Sequence, residues 1–251
     1  MEIQKANSWK RIAAWMLDLM LLVMVAVGGI ALVSSLSGYE AHSRTLDAAY
    51  TKYETQFGVT FDINQEIYDA MTEAERENYK AAYDALVADR EAMDAYNMVI
   101  NLSILSTTFG ILLAVLLLEF VVPLLLKNGQ TLGKKCFALG VVRVDGVKLT
   151  PLQLFVRTVL GKYTVEIMLP VYLALMVFWG TAGSWVLWAL LIFAVIQLVC
   201  VAVTQNRSAI HDLMAGTVVV DISSQKVFES TDDLLAYVKR VHAEQAQKQD
   251  Y

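Results

Sequence analysis

Four long apolar blocks constrain this chain more than any other feature: Ile12–Val33, Met98–Leu126, Tyr163–Trp179 and Trp185–Val203. A bilayer core of about 30 Å takes about 20 helical residues at about 1.5 Å each. Every block meets or approaches that length; the third is the shortest and includes Glu166. The chain is 57% hydrophobic and only 18% charged, less charge than soluble domains carry. The first block is too long for a signal-peptide core. The stretch Ser34-Ser35-Leu36-Ser37-Gly38 is also a poor cleavage site, so the block is expected to be retained.

Basic residues give an orientation. Lys5, Lys10 and Arg11 precede the first block, and Lys127, Lys134, Lys135, Arg143, Lys148, Arg157 and Lys162 lie between the second and third. Lys and Arg near membrane ends stay in the cytoplasm. The segment between the first two blocks is acidic, from Glu40 to Asp94, with only five basic residues, and is expected outside. Trp179, Trp185 and Trp188 flank the turn Gly180–Gly183, where an interfacial aromatic belt belongs. The expectation is a mainly α, polytopic protein of the plasma membrane with both termini cytoplasmic. The net charge of −5 is concentrated in one external segment and gives no reason to expect nucleic acid.

The expected organisation follows in chain order. Residues 1–37 hold the N-terminus and first transmembrane helix, 38–97 an external acidic insertion, and 98–126 the second transmembrane helix. Residues 127–162 carry a cytoplasmic β-hairpin and an amphipathic helix, 163–205 the third and fourth transmembrane helices, and 206–251 a strand and a last helix. In the insertion, Thr72 and Glu75 form a capping box. Tyr79, Tyr83, Leu86, Arg90 and Met93 recur at helical spacing, as do Leu46, Tyr50, Tyr53 and Phe57. Two helices packed as a hairpin through these faces are predicted. No Pro or Gly separates the second from the next membrane block, so the two are expected to be continuous. On the cytoplasmic side, Ala138–Val144 and Val147–Thr150 flank Asp145-Gly146, a strong hairpin turn. Thr217–Ile222 is expected to pair with this hairpin, and Lys226-Val-Phe228 to return after it. Thr150-Pro151 opens a helix whose Arg157 and Lys162 beside Leu152, Phe155 and Val159 suit the membrane surface. A last helix starts at Thr231-Asp-Asp233.

Charges inside apolar blocks carry the information about chemistry, because each costs a few kcal/mol or more unless paired or hydrated. Asp18 follows Arg11 by seven residues, two turns on the same face and roughly 10 Å along the helix. Glu119 lies at comparable depth, Glu166 opens the third block beside Lys162, and Arg207, His211 and Asp212 follow the fourth. Asp18 must therefore turn inward to a donor. Arg207 or Arg157 is expected to complete its pairing, with Arg11 reaching Asp212.

These charges sit in a pattern that resembles the RDD family of membrane proteins. Trp9-Lys-Arg11-Ile-Ala-Ala-Trp-Met-Leu-Asp18 matches the first signature. Gly129-Gln-Thr131-Leu-Gly133-Lys134 leading to Leu139-Gly-Val-Val-Arg-Val-Asp145-Gly146 matches the second, and His211-Asp212-Leu-Met-Ala215-Gly216-Thr217 the third. The family's Arg, Asp and Asp fall on Arg11, Asp18 and Asp212. The resemblance covers Trp9–Gly29 and roughly Val99–Val220, leaving out the acidic segment and the tail after Asp221. It implies a transport role, with ion or proton exchange suggested for some members.

Other motifs are weak. Gly129–Lys135 lacks the spacing of a phosphate-binding loop and reads as a turn. His211-Asp212 has no Ser or Cys motif to complete a catalytic set, and His42, His211 and His242 show no metal spacing. Cys136 and Cys200 do not suggest a disulfide. The glycosylation patterns Asn101-Leu-Ser103 and Asn206-Arg-Ser208 fall in the bilayer and inside. No enzyme activity, cofactor or metal is expected. The partners expected are the lipid bilayer, further copies of the chain, and an external protein at the 38–97 insertion. Three functions stay open: a small-solute or cation/proton transporter using the charge cluster, a membrane-anchored binding or assembly subunit acting through the external hairpin, and a scaffold acting through the cytoplasmic segments. For the charge cluster itself, a structural ion-pair network stands against a conducting one.

Overall fold

A computed structural model describes residues 6–126, 128–180, 183–204 and 207–249. Lys5, Lys127, the centre of the Gly180–Gly183 turn and Asn206 lie outside the described residues. The protein is mostly helical, with one two-stranded sheet. Four helices are long and apolar enough to cross a membrane: α1 (Ser8–Ser37), α5 (Arg90–Leu126), α7 (Pro151–Phe178) and α8 (Trp185–Val203). Two compact units share them. Val27–Ile111 forms one, and the chain up to Ala26 with that from Leu112 forms the other.

The Val27–Ile111 unit carries α2 (Tyr39–Phe57), α3 (Gln65–Ala70) and α4 (Glu73–Ala88). A single residue, Gly38 at φ 79°, separates α1 from α2, a backbone angle that glycine alone takes without strain. Tyr53, Leu86 and Ala92 form the core of this unit with Tyr50, Phe57 and Phe61 around them. Phe61 meets Tyr50 and Tyr79 edge-on, at centroid distances of 5.7 and 5.8 Å. The expected capping box at Thr72 and Glu75 is present. Tyr83, assigned to the packed face by its spacing, is instead exposed. The continuity expected between α4 and the second span also fails. The chain turns extended at Asp89, whose Oδ1 accepts the N–H groups of Glu91 and Ala92 at 3.0 and 3.3 Å. The other oxygen accepts the Tyr53 hydroxyl at 2.9 Å. Asp89 is thus an N-cap fixed by a tertiary hydrogen bond, and it ends one helix and starts the next without Pro or Gly. In the same unit α1 and α5 touch through Gly29 and Gly110, where a Cβ on Gly29 would fall 2.7 Å from the Gly110 carbonyl oxygen. Small residues of this kind let membrane helices approach backbone to backbone.

The second unit is built around strand β1 (Leu139–Arg143) and strand β2 (Thr217–Asp221), antiparallel with Val141 opposite Val219 and Val142 opposite Val218. One sheet face packs Leu139, Val141 and Val219 on Ala6 and Ala14. The other buries Val142, Val218 and Val220 with Val227. Burial of both faces explains why these strands read as unbroken apolar runs. The hairpin after β1 turns at Asp145-Gly146, with Gly146 at φ 83°. Its returning arm is shorter than expected, a single bridge from Lys148 to Val142, because Val147 next pairs in parallel with Phe228. The residues Lys226–Phe228 therefore return against the hairpin arm rather than against β2. Between the second span and β1 lies α6 (Leu132–Cys136), and before β2 lies α9 (Ile210–Ala215). The last helix, α10 (Thr231–Gln249), sets Tyr237 on Phe228 at 5.3 Å.

The helix expected on the membrane surface is not separate. Thr150 caps it in a box with Gln153, Pro151 is at its start as predicted, and it runs unbroken into the third span. Its middle, Val156–Met168, is wound as a π-helix, as is Leu116–Val121 within α5. In α8 only Val186 is buried, while Leu198 and Val203 are 70% and 76% exposed. A continuous apolar surface on this scale is a lipid-facing surface.

Candidate functional site

Winding decides which charges meet. On an α-helix Arg157 and Glu166, nine residues apart, face opposite ways, since each residue turns the chain by about 100°. With i→i+5 bonding a turn takes roughly four and a half residues, so nine residues make two turns and the pair shares a face. The π stretch of α7 therefore presents Arg157, Gly161 and Glu166 to α9, and Thr158 and Lys162 to α5. Gly161 permits the approach, because a Cβ there would lie 2.7 Å from the His211 Cα.

On the α9 side, Arg157 Nε donates to Asp212 Oδ1 at 2.8 Å, and both side chains are 2% exposed. The Thr217 hydroxyl, at the start of β2, donates to the same oxygen at 2.8 Å. Burial pushes the Asp212 carboxyl up, but the Arg157 charge outweighs it and holds the group well below the usual carboxylate range. Glu166 Oε1 accepts the backbone N–H of His211 at 2.9 Å, and Oε2 lies 2.7 Å from its Nδ1. Arg157 Nη2 lies 2.9 Å from His211 Nε2. A guanidinium can only donate, so Nε2 accepts and Nδ1 carries the proton toward Glu166.

On the other side, Asp18 turns inward from α1 to the start of α6. Its Oδ2 accepts the Thr131 hydroxyl at 2.5 Å and its Oδ1 accepts the Gly133 N–H at 2.7 Å. The Lys134 ammonium is 3.7 Å away. A side chain on Gly133 would collide with the Ala14 carbonyl and the Asp18 carboxyl, so glycine is what lets α6 seat on α1. Burial pushes the Lys134 amine down to about 8 against the opposing pull of Glu119 and Asp18. Glu119, in the π turn of α5, is 2% exposed. One of its carboxylate oxygens pairs with the Lys162 ammonium, and its carbonyl accepts the Thr158 hydroxyl at 3.0 Å. The other oxygen, Oε2, is buried with no hydrogen-bond partner.

Arg11 pairs with neither aspartate. Its Nη2 donates to the Arg207 carbonyl at 2.8 Å, and no carboxylate among the described residues lies within 4.0 Å of it. The expected partners thus change places. Asp18 takes a hydroxyl, a backbone N–H and Lys134 rather than an arginine, and Asp212 takes Arg157 rather than Arg11. The sequence reading missed Thr131, Gly133, Lys134 and Thr217. The first three lie in the glycine-threonine motif, which carries the family resemblance and reads locally as a turn, and Thr217 follows five residues after Asp212.

The RDD family model matches residues 5–216. The chain belongs to the RDD family. The match spans the Val27–Ile111 unit and the residues of both clusters except Thr217, and it ends just before β2. No curated protein and no solved structure matches the chain. Of the three charges that the sequence resemblance points to, Asp18 and Asp212 each anchor a different short helix, α6 or α9, to a long one, and Arg11 ties the start of α1 to the segment after α8.

Proposed function

We propose that this RDD-family membrane protein translocates protons or small monovalent cations, and that Glu119 is the group the travelling species meets. The observation that carries the reading is the unbonded Glu119 Oε2. A buried carboxylate oxygen without a donor costs free energy, and a proton or cation supplies what is missing. Neighbouring ammonium groups on Lys162 and Lys134 offset the carboxylate while the site is empty. In this reading Asp18 and Asp212 position the helices and touch no substrate, the chain is not an enzyme, and both termini face the cytoplasm of a plasma-membrane protein, as the basic residues favour. Purified protein in liposomes tests it with a pH-sensitive dye and imposed Na⁺, K⁺ or proton gradients. Glu119→Gln should abolish flux in protein that still folds and reconstitutes, with some loss of thermal stability because Lys162 loses its carboxylate. Parental flux in that variant would end the proposal.

A second reading has its own support. Ile67, Tyr83 and Val87 are exposed on the Val27–Ile111 unit, so a protein partner could dock there. Photocrosslinking from position 83 in intact cells should then trap one discrete product, and the absence of any product would count against it.

A further inference from the structure

Two arginines at one membrane edge, the partly buried Arg11 and the exposed Arg207, have no carboxylate partner among the described residues. Arg11 spends Nη2 on the Arg207 carbonyl at 2.8 Å, and Arg207 spends Nη1 on the Ser8 hydroxyl at 2.7 Å. The two guanidinium groups repel each other, and the acid that acts on Arg11 from a distance is Asp212, already held by Arg157. The nearby Lys10 is likewise engaged, with Asp221 at 2.7 Å. Each guanidinium has five N–H donors, and these two hydrogen bonds use one of each. Among the described residues no carboxylate lies within 4.0 Å of either. Arg207 also holds a left-handed backbone, φ 50°, which a side chain of this size rarely adopts and which tends to persist where function requires it.

Depth indicates what fills the gap. Ser8 is the first residue of α1, and Arg207 follows the end of α8 at Val203 by four residues. Trp9 and Trp15 on the same turns are 77% and 56% exposed, placing this edge at headgroup level. We propose that Arg11 and Arg207, with the Ser8 hydroxyl, bind the phosphate of an anionic lipid headgroup. Planar guanidinium forks match phosphate oxygens two at a time, and a lipid phosphate is the anion present at that depth.

The test uses the full chain in neutral detergent, with thermal unfolding and native mass spectrometry as readouts. Phosphatidylglycerol should raise the melting temperature by several degrees and stay bound in the spectrometer, and phosphatidylcholine should do neither. Arg207→Gln should weaken phosphatidylglycerol binding at least tenfold, whereas Arg240→Gln on α10, a cation on another element, should leave it unchanged. Arg207→Lys keeps the charge and loses the fork, so it should bind several-fold more weakly than the parent, and it decides the matter if Arg207→Gln does not fold. Equal stabilisation by inorganic phosphate or phosphatidylcholine, or undiminished binding in both Arg207 variants, would overturn the assignment.

Discussion

The two buried clusters draw on the same residue types and are finished differently. Around Asp212, the guanidinium of Arg157, the hydroxyl of Thr217, the ring of His211 and the carboxylate of Glu166 interlock, and no buried side-chain polar atom there is left unbonded. Around Glu119 two ammonium groups and a second carboxylate gather, yet one oxygen has no donor. A complete network resists change, because every member is needed by another. An incomplete one has room for a visitor. In the reading proposed above, the contrast separates a fastener from a working site, and the working role falls to Glu119.

Three experiments test that contrast. The largest effect is expected at the fastener. Asp212→Ala leaves Arg157 buried and unpaired, which should cost about 3–5 kcal/mol. Arg157→Met with Asp212→Leu should recover most of the loss, because an apolar pair of similar volume removes both desolvation penalties. Urea or thermal unfolding in detergent measures both, and a double variant no better than the single one would show that the charges do more than fasten. The next effect concerns pH. Lys134, beside the incomplete cluster, has its amine pushed down to about 8 from an ordinary 10.5. Between these values the unfolded chain holds a proton that the folded chain has lost, so stability should rise with pH across that window, by on the order of 2 kcal/mol. Lys134→Met should flatten the rise, and a parental profile unchanged from pH 8 to 10 would contradict it. The smallest effect is a partial loss at the fastener. Thr217→Val removes one charged hydrogen bond from Asp212 and should cost about 1.5 kcal/mol, since Arg157 stays in place. A loss as large as that of Asp212→Ala would mean that the hydroxyl, and not the guanidinium, governs the site.

Much of the architecture was legible in the residues. Apolar block length located the spans, Thr150-Pro151 and Thr72 with Glu75 marked helix starts, and Asp145-Gly146 marked the turn, because these signals are local and tied to side-chain identity. The pairing of charges was not legible. The partner of Asp18 includes the Gly133 N–H, and a backbone donor carries no residue name. The break at Asp89 depends on the hydroxyl of Tyr53, 36 residues earlier, and no local pattern encodes it. The π winding of α7 mattered most, for an α-helical wheel places Arg157 and Glu166 on opposite faces.

That winding also makes the third span sensitive to length. A π segment holds surplus residues relative to an α-helix of the same rise, and it keeps them only while the contacts at both ends pay for the wider coil. Loss of one codon between Arg157 and Gly161 would leave Arg157 and Glu166 eight residues apart and turn everything beyond by about 80°. Arg157 and Glu166 could not then both reach α9. Point substitutions on the lipid-facing side of this helix should be borne easily, whereas a single-residue deletion should act like the removal of both clusters at once.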